Sequence, residues 1–326
     1  MIAAQEIFAI DSKTAFEKAV LTVFALQYGQ NTVYREFCDH LKVVPTSITK
    51  PSEIPFLPIS FFKSKKIVAN SKAPALVFTS SGTTGEKTSK HYVTDAEMYR
   101  KSYLKAFVSC YGPISDYCIL ALLPSYLERE GSSLIYMVTD LIQKSGHPDS
   151  GFYLNDLEGL SAKLERLDAK GIKVLLIGVS FALLDLVEKH RFKLHSTTVM
   201  ETGGMKGRRK ELIREALHDI LQKGLGVDRI HSEYGMTELL SQAYSKGNGI
   251  FNAPPWMKVL IRDTEDPLNI LDWGRTGGIN IIDLANINSC SFIATQDLGK
   301  CYEDGSFEIM GRFDHSDVRG CNLMVL

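Results

Sequence analysis

An α/β fold is the class this sequence predicts, and three observations point to it. Before residue 252, short apolar runs (CILALLP, KVLLIGV, TTVME) alternate with helix-like stretches, as in parallel sheets covered on both faces. Beyond Asn252 the helical intervals thin out, and WMKVLIRD, GGINIIDLA, CSFIATQD and SFEIMGR follow as strand-like pieces. That texture predicts a smaller antiparallel or barrel-like part. A chain of 326 residues also exceeds one ordinary folding unit, so two or three subdomains are expected.

Taken in order, Lys13 to Tyr28 reads as an amphipathic helix. IPFLPISFF (Ile54 to Phe62) is apolar but broken by prolines, which predicts an extended segment laid across the body. ALVFT reads as a strand, and Thr94 with Glu97 three residues later forms a capping box for a helix reaching about Val108. Further helices are expected around Leu183 to Lys189 and Arg208 to Leu221. No internal repeat, low-complexity tract or clear linker interrupts the chain.

Composition narrows the function classes. With 37 basic and 38 acidic side chains, neither sign dominates, which argues against broad nucleic-acid binding. The N-terminus MIAAQEIFAIDSK carries acid where a signal peptide needs base, and no apolar run is long enough for a membrane span. The six cysteines, Cys38, Cys110, Cys118, Cys290, Cys301 and Cys321, contain no close C-x-x-C pair. A zinc knuckle is therefore not expected, and reduced thiols in the cytoplasm are. There is no G-x-S-x-G elbow, GVS at Gly178 to Ser180 being only part of one, and no H-E-x-x-H. Serine and metal-centred hydrolysis both lose support.

The richest stretch is SSGTTGEKTSKH, Ser80 to His91, directly after the ALVFT strand. Gly82 and Gly85 allow tight turns, Ser80, Ser81, Thr83 and Thr84 offer hydroxyl and amide donors, and Lys87 or Lys90 supplies a point charge. Together they suit phosphate. The Walker A spacing is not met, because counting from Gly82 puts Lys87 at the second glycine position. On composition alone the segment could also be a glycine-serine surface turn; its place after a strand favours a binding loop.

TSSGTTGEKTSK resembles the phosphate loop of the adenylate-forming superfamily, which includes acyl-CoA synthetases, luciferases and peptide-synthetase adenylation domains. TGG (Thr202 to Gly204), YGMTE (Tyr234 to Glu238), TQD (Thr295 to Asp297) and GRFDHSDVRG (Gly311 to Gly320) resemble further motifs of that superfamily, in its order. Within it, SKH after the loop, METGGMKGR and the terminal RGCNLM look like the LuxE-type acyl-protein synthetases of bacterial bioluminescence. The resemblance implies a large N-terminal domain with two sheet-containing α/β subdomains and a smaller β-barrel-like part. It implies units at 1–70 (helical and extended, packed on the body), 71–251 (nucleotide and acyl binding), 252–310 (β-rich) and 311–326 (hinge-like). The sequence stops at Leu326, so the usual mobile C-terminal domain, with its catalytic lysine, is expected to be absent, truncated or supplied by a partner.

The implied reaction is ATP-dependent activation of a carboxylic acid, with fatty acids the leading class, to acyl-AMP and pyrophosphate. Two anions must meet, so the site has to neutralise charge and aim an oxygen at phosphorus. By resemblance, Ser80, Ser81, Gly82, Thr83, Thr84 and Gly85 hold the phosphates with Lys87 or Lys90. Gly203 and Gly204 let the backbone approach the base, and Tyr234 offers an adenine-stacking face, followed by Gly235 and Met236. Thr237 faces the α-phosphate, Glu238 helps hold Mg²⁺, Asp297 accepts from the ribose, and Arg312 holds ribose or phosphate. Each has an ordinary reading in isolation: Tyr234 as a core aromatic, Asp297 as a turn residue, Glu238 as a helix face. Their order along one chain is what favours the functional set.

Cys321 in RGCNLM occupies the place of the acyl-accepting cysteine of the bioluminescence synthetases, which pass the acyl group to a reductase. A thiol suits thioester formation, with Arg319 favouring the thiolate and His315 a candidate base; packing beside Leu323 to Val325 is the plain alternative. LLPSYLEREGSSLIYM (Leu122 to Met137) is a candidate acid-pocket wall, through Ser125 or Tyr126. Two other functions fit the same motifs: an acyl-CoA or aryl-CoA synthetase using free CoA, and a nucleotide-binding assembly protein without catalysis.

Overall fold

A computed structural model describes residues 3–80, 88–124, 131–203 and 212–313 of the chain. The helices are α1 (Ala4–Ile7), α2 (Lys13–Gln30), α3 (Thr32–His40), α4 (Phe61–Ser64), α5 (Ala96–Tyr111), α6 (Ser133–Ser145), α7 (Leu157–Ala169), α8 (Ser180–Lys189) and α9 (Arg214–Leu225). The strands before residue 252 are β1 (Leu57–Pro58), β2 (Leu76–Thr79), β3 (Lys90–Val93), β4 (Cys118–Leu122), β5 (Gly151–Phe152), β6 (Val174–Gly178), β7 (Thr197–Glu201), β8 (His231–Tyr234) and β9 (Ala243–Ser245). Then come β10 (Ile250–Asn252), β11 (Met257–Arg262), β12 (Thr276–Asp283), β13 (Phe292–Cys301) and β14 (Phe307–Arg312).

Every residue of β4 and of β6 is buried, because helices cover both faces of a parallel sheet and leave no solvent side to alternate toward. Strands β5, β4, β6, β7 and β8 run parallel. At β9 the direction reverses, and β9, β10, β14, β13, β12 and β11 continue antiparallel. The two sheet regions expected from the sequence are thus halves of one twelve-stranded sheet among the described residues, with β1 beside β13. The β-rich part is the antiparallel half of that sheet, joined through β14 and β10, and it ends on β11 as an open meander. Among the described residues only β2 and β3 stand apart, as a hairpin.

The prolines of IPFLPISFF act as expected only in part: Leu57–Pro58 is extended and pairs with β13, but Phe61–Ser64 turns helical. Asp95, not Thr94, caps α5, accepting from the Glu97 N–H. The helix expected from Arg208 begins at Arg214, with 204–211 outside the described residues.

The N-terminal helices are tied to the meander by buried polar groups. Gln27 donates to the Asn286 and Ile287 carbonyls, each at 3.0 Å, and accepts from the Ser291 N–H at 2.9 Å. Asn31 donates to the Ser289 carbonyl at 2.9 Å. Phe24 and Tyr34 pack against Phe292, the tyrosine stacked at 5.8 Å. Residues far apart in sequence therefore share one core, and buried amides that must be satisfied fix their register. No helix among the described residues is long and apolar enough to cross a membrane.

Candidate functional site

The motifs converge where the parallel strands end, the usual location of a binding crevice in such sheets. The hairpin of β2 and β3 holds two described residues of the phosphate-loop segment, Ser80 and Ser89. Its base is clasped twice: the Ser80 N–H donates to the Ser89 carbonyl at 3.1 Å, and the Ser89 N–H to Ser80 Oγ at 2.9 Å. Ser81, Gly82, Thr83, Thr84, Gly85 and Lys87 lie outside the described residues, as do Gly204, Ser125, Tyr126, His315, Arg319 and Cys321. Lys90 is exposed, whereas Ser89 and His91 are buried. Strand alternation turns Lys90 away from the face that the other two present inward.

That inward face meets the YGMTE loop. His91 Nδ1 lies 2.9 Å from the Thr237 carbonyl oxygen, and since a carbonyl only accepts, Nδ1 carries the proton. Complete burial pulls the imidazole down to about 4, so it is neutral. Ser89, two residues earlier on the same face, sets its hydroxyl against Glu238. Glu238 is 5% exposed. Burial pushes its carboxyl above the ordinary value, and Ser89 and the more distant charges of Arg312 and Lys63 offset only part of that.

From the other side, Asp283 at the end of β12 collects the next turn. Its carboxylate accepts from the N–H groups of Leu240 and Ser241 at 2.8 and 2.9 Å, from Ser241 Oγ at 2.6 Å and from the Ala285 N–H at 3.1 Å. Asn286 donates to the Glu238 carbonyl at 2.7 Å. Thr237 and Glu238 are thus held between the hairpin and the meander, so their geometry does not wait on a ligand.

Asp297 forms the third corner. It sits on β13 directly opposite Arg312 on β14. Tyr234 Oη donates to Asp297 Oδ2 at 2.7 Å, and Arg312 Nε donates to Oδ1 at 3.1 Å. Asp297 is buried while the Arg312 side chain is 80% exposed, so the arginine fork can reach outward. Tyr234 carries its ring among Phe251 and Phe307, edge-on at 6.0 and 5.9 Å. The expected stacking tyrosine is therefore also a core aromatic whose hydroxyl orients Asp297. Tyr234→Phe should lower stability by about 1 kcal/mol, read as a shift in the denaturant midpoint, because a buried carboxylate oxygen loses its donor.

The glycine turn completes the rim. Gly203 has φ +70° and nothing within 4 Å of the position a Cβ would take, so the backbone there is open to close approach and favours glycine. Its N–H donates to Glu201 Oε2 at 2.7 Å, with Ser180 Oγ at 3.3 Å from the same oxygen and His218 Nε2 at 3.7 Å from Oε1. Burial alone would raise the Glu201 carboxyl, but His218 and the Gly203 N–H outweigh it and hold it below its ordinary value. Sequence reasoning gave no role to Glu201, Ser89, His91 or Asp283. METGG and SKH were visible as motifs, but the partners that define these residues lie on other elements.

Among the described residues no group of three or more His, Cys, Asp or Glu side chains could hold a metal ion. The one carboxylate at the loop, Glu238, suits an ion whose other ligands are phosphate oxygens and water, the usual way Mg²⁺ is bound beside a nucleotide.

The model of the LuxE acyl-protein synthetase family matches residues 6–114, which include the phosphate loop. Among curated proteins no sequence match was found. The fold is like that of 2-hydroxyisobutyryl-CoA ligase in complex with 2-HIB-AMP and CoA, with a TM-score of 0.65 at 13% identity over 93% of this chain and 70% of that one. It is also like ATP-bound MatB from Rhodopseudomonas palustris, with a TM-score of 0.54 at 18% identity over 75% of this chain and 49% of that one. At such identities the likeness is one of fold, and this chain matches only about half of MatB's length. The chain has the fold of these ligases, and its residues 6–114 match the family model of LuxE acyl-protein synthetases.

Proposed function

We propose that the protein activates a carboxylic acid of the fatty-acid class with ATP and Mg²⁺ in the cytoplasm, then takes the acyl group onto Cys321 for delivery to an acceptor protein such as a reductase. The observation that carries this reading is the meeting of Thr237 and Glu238 with the phosphate hairpin on one side and the Tyr234–Asp297–Arg312 cluster on the other. In the first step a carboxylate oxygen attacks the α-phosphorus, forming the acyl–phosphate bond as the bond to pyrophosphate breaks. Backbone and hydroxyl donors of residues 80–85, with Lys87 or Lys90 supplying a point charge, hold the leaving phosphates. Thr237 donates to the α-phosphate. Asp297, oriented by Tyr234 and Arg312, accepts from the ribose hydroxyls, and Gly203 with Gly204 lets the base lie against the backbone. A Mg²⁺ ion at Glu238 would neutralise phosphate charge.

In the second step the Cys321 thiolate attacks the acyl carbonyl carbon, AMP leaves, and the thiol proton passes to solvent. Acid-dependent exchange of labelled pyrophosphate into ATP tests the first step; no exchange across aromatic, short and long acids, with folded protein and candidate partners present, would reject it. For the second, labelled fatty acid with ATP and Mg²⁺ should leave a hydroxylamine-sensitive label on the Cys321 peptide. Cys321→Ser should abolish that label while exchange continues. Discharge of the adenylate by free CoA alone, with no protein label, would instead assign the protein to the CoA ligases.

A further inference from the structure

Beneath the YGMTE loop, on the side of the sheet that faces α5, three polar side chains lie together with polar atoms that no described residue satisfies. Glu233 on β8 and Tyr244 on β9 are directly opposite in register, so both leave the sheet on the same face. Gln242, two residues before Tyr244, reaches the same place. A Cβ added to Gly235 would collide with Glu233 Oε1 and meet Gln242 Cγ at 3.3 Å, so both side chains lie over that glycine. Tyr244 and Gln242 are 4% and 3% exposed, yet Tyr244 Oη and Gln242 Oε1 have no hydrogen-bond partner among the described residues. Glu233 keeps some exposure, and none of the described residues hydrogen-bonds its carboxyl.

The neighbours are aromatic. Tyr111 packs edge-on to Tyr244 at 5.3 Å and Phe107 at 6.5 Å, and Tyr99, close enough to feel Glu233 and Tyr244, has its own hydroxyl spent on the Ser133 carbonyl. Burial, with the charge of Glu201 beyond, pushes the Glu233 carboxyl up to about 8. His231, on the same strand face, is pulled down to about 4 by burial, Lys246 and Arg229. The cluster therefore offers a carboxyl inclined to keep its proton and donate, an amide oxygen that accepts, and a phenol that does either. A plain methylene chain laid here would leave all three unmet. A hydroxyl or carbonyl oxygen would satisfy them.

We propose that Glu233, Gln242 and Tyr244 form a specificity site that binds a hydroxyl or oxo group on the chain of the acid, so that oxygenated fatty acids are the preferred substrates. This rests on the acid-activation reading and names the substrate class for it. A site built to hydrogen-bond a substrate oxygen rejects the analogue lacking it far better than an apolar pocket rejects the reverse.

The test compares decanoate with its hydroxy and oxo derivatives, the substituent walked along the chain, in two assays on the same protein. One is ATP–pyrophosphate exchange; the other is thermal stabilisation by the acid alone. At least one oxygenated acid should exceed decanoate by tenfold or more in kcat/KM and give the larger rise in Tm. Glu233→Leu and Tyr244→Phe should each erase that preference while decanoate is used as well as before or better, which a merely damaged protein would not do. If no acid supports exchange but the Tm preference appears and is lost in both variants, the activation reading fails and the binding site stands. Equal or absent responses to both kinds of acid in the native protein, or a preference both variants keep, would overturn the inference and leave a cluster that holds internal water.

Discussion

Glu238→Gln should lower acid-dependent pyrophosphate exchange by about a hundredfold or more while leaving the protein at least as resistant to heat as before. The two halves of that result come from one cause. The carboxyl is 5% exposed and burial raises its pKa, with only partial compensation from Ser89 and distant cations. A charge kept in such a place destabilises the free protein, and glutamine removes the charge while keeping an oxygen for Ser89 and the shape of the turn. In the proposed reaction the lost charge is the one that faces the cation and phosphates, where a water-poor site makes it worth most. Exchange assays beside thermal unfolding read both at once. Undiminished exchange, or a loss of exchange matched by a falling Tm, would remove Glu238 from the proposed machinery.

Asp283→Ala has the largest expected effect on stability, a loss of about 3 kcal/mol or more. Four donors end on this carboxylate: two backbone N–H groups of the loop after Glu238, the Ser241 hydroxyl, and the Ala285 N–H. All are buried, and alanine offers none of them an acceptor. Asparagine should recover little, since its amide nitrogen would face a pair of donors where an oxygen stood. Burial nevertheless pushes this carboxyl up to about 6 against the pull of those donors. The folded state thus holds a proton that the unfolded chain gives up between the ordinary carboxylate range and about 6. Across that window the Asp283 contribution to stability falls as pH rises. Urea unfolding of the native protein and both variants checks the ranking. An alanine variant within 1 kcal/mol of the native protein would show that the loop does not depend on this anchor.

Which parts of this molecule could be read from its residues follows from how local their signals are. β4 and β6 announced themselves as unbroken apolar runs, because a strand buried on both faces needs no partner's identity to be recognised. Asp297 and Arg312 were legible as motif members and prove to be cross-strand partners. The joining of the two halves into one sheet was not legible. It runs through β9 and β10, three residues each, too short to show a period. Nor did Ser89, His91 or Asp283 stand out, since each is defined by a contact with a loop far away in sequence. Glu233 was hidden for a different reason: a glutamate before an aromatic looks like a solvated side chain until Tyr244 and Gln242 are seen beside it. The capping box at Thr94 and Glu97 gave way to Asp95 because Thr94 is spent elsewhere, accepting from Asn70 Nδ2 at 3.0 Å.

In the proposed reaction a carboxylate oxygen attacks the α-phosphorus of ATP at the site formed by Thr237, Glu238 and Asp297. Oxygen transfer reports that event directly. Fatty acid labelled with ¹⁸O in its carboxylate is turned over with ATP and Mg²⁺, and the nucleotide products are examined by mass spectrometry. Because the carboxylate oxygen becomes the bridge to phosphorus and stays with the phosphate when the acyl group leaves, AMP should carry one labelled oxygen and pyrophosphate none. Label in inorganic phosphate alongside ADP would place the attack on the γ-phosphorus, and acid-dependent turnover that yields only unlabelled AMP would mean that no acyl adenylate forms; either result would rule out the proposed reaction.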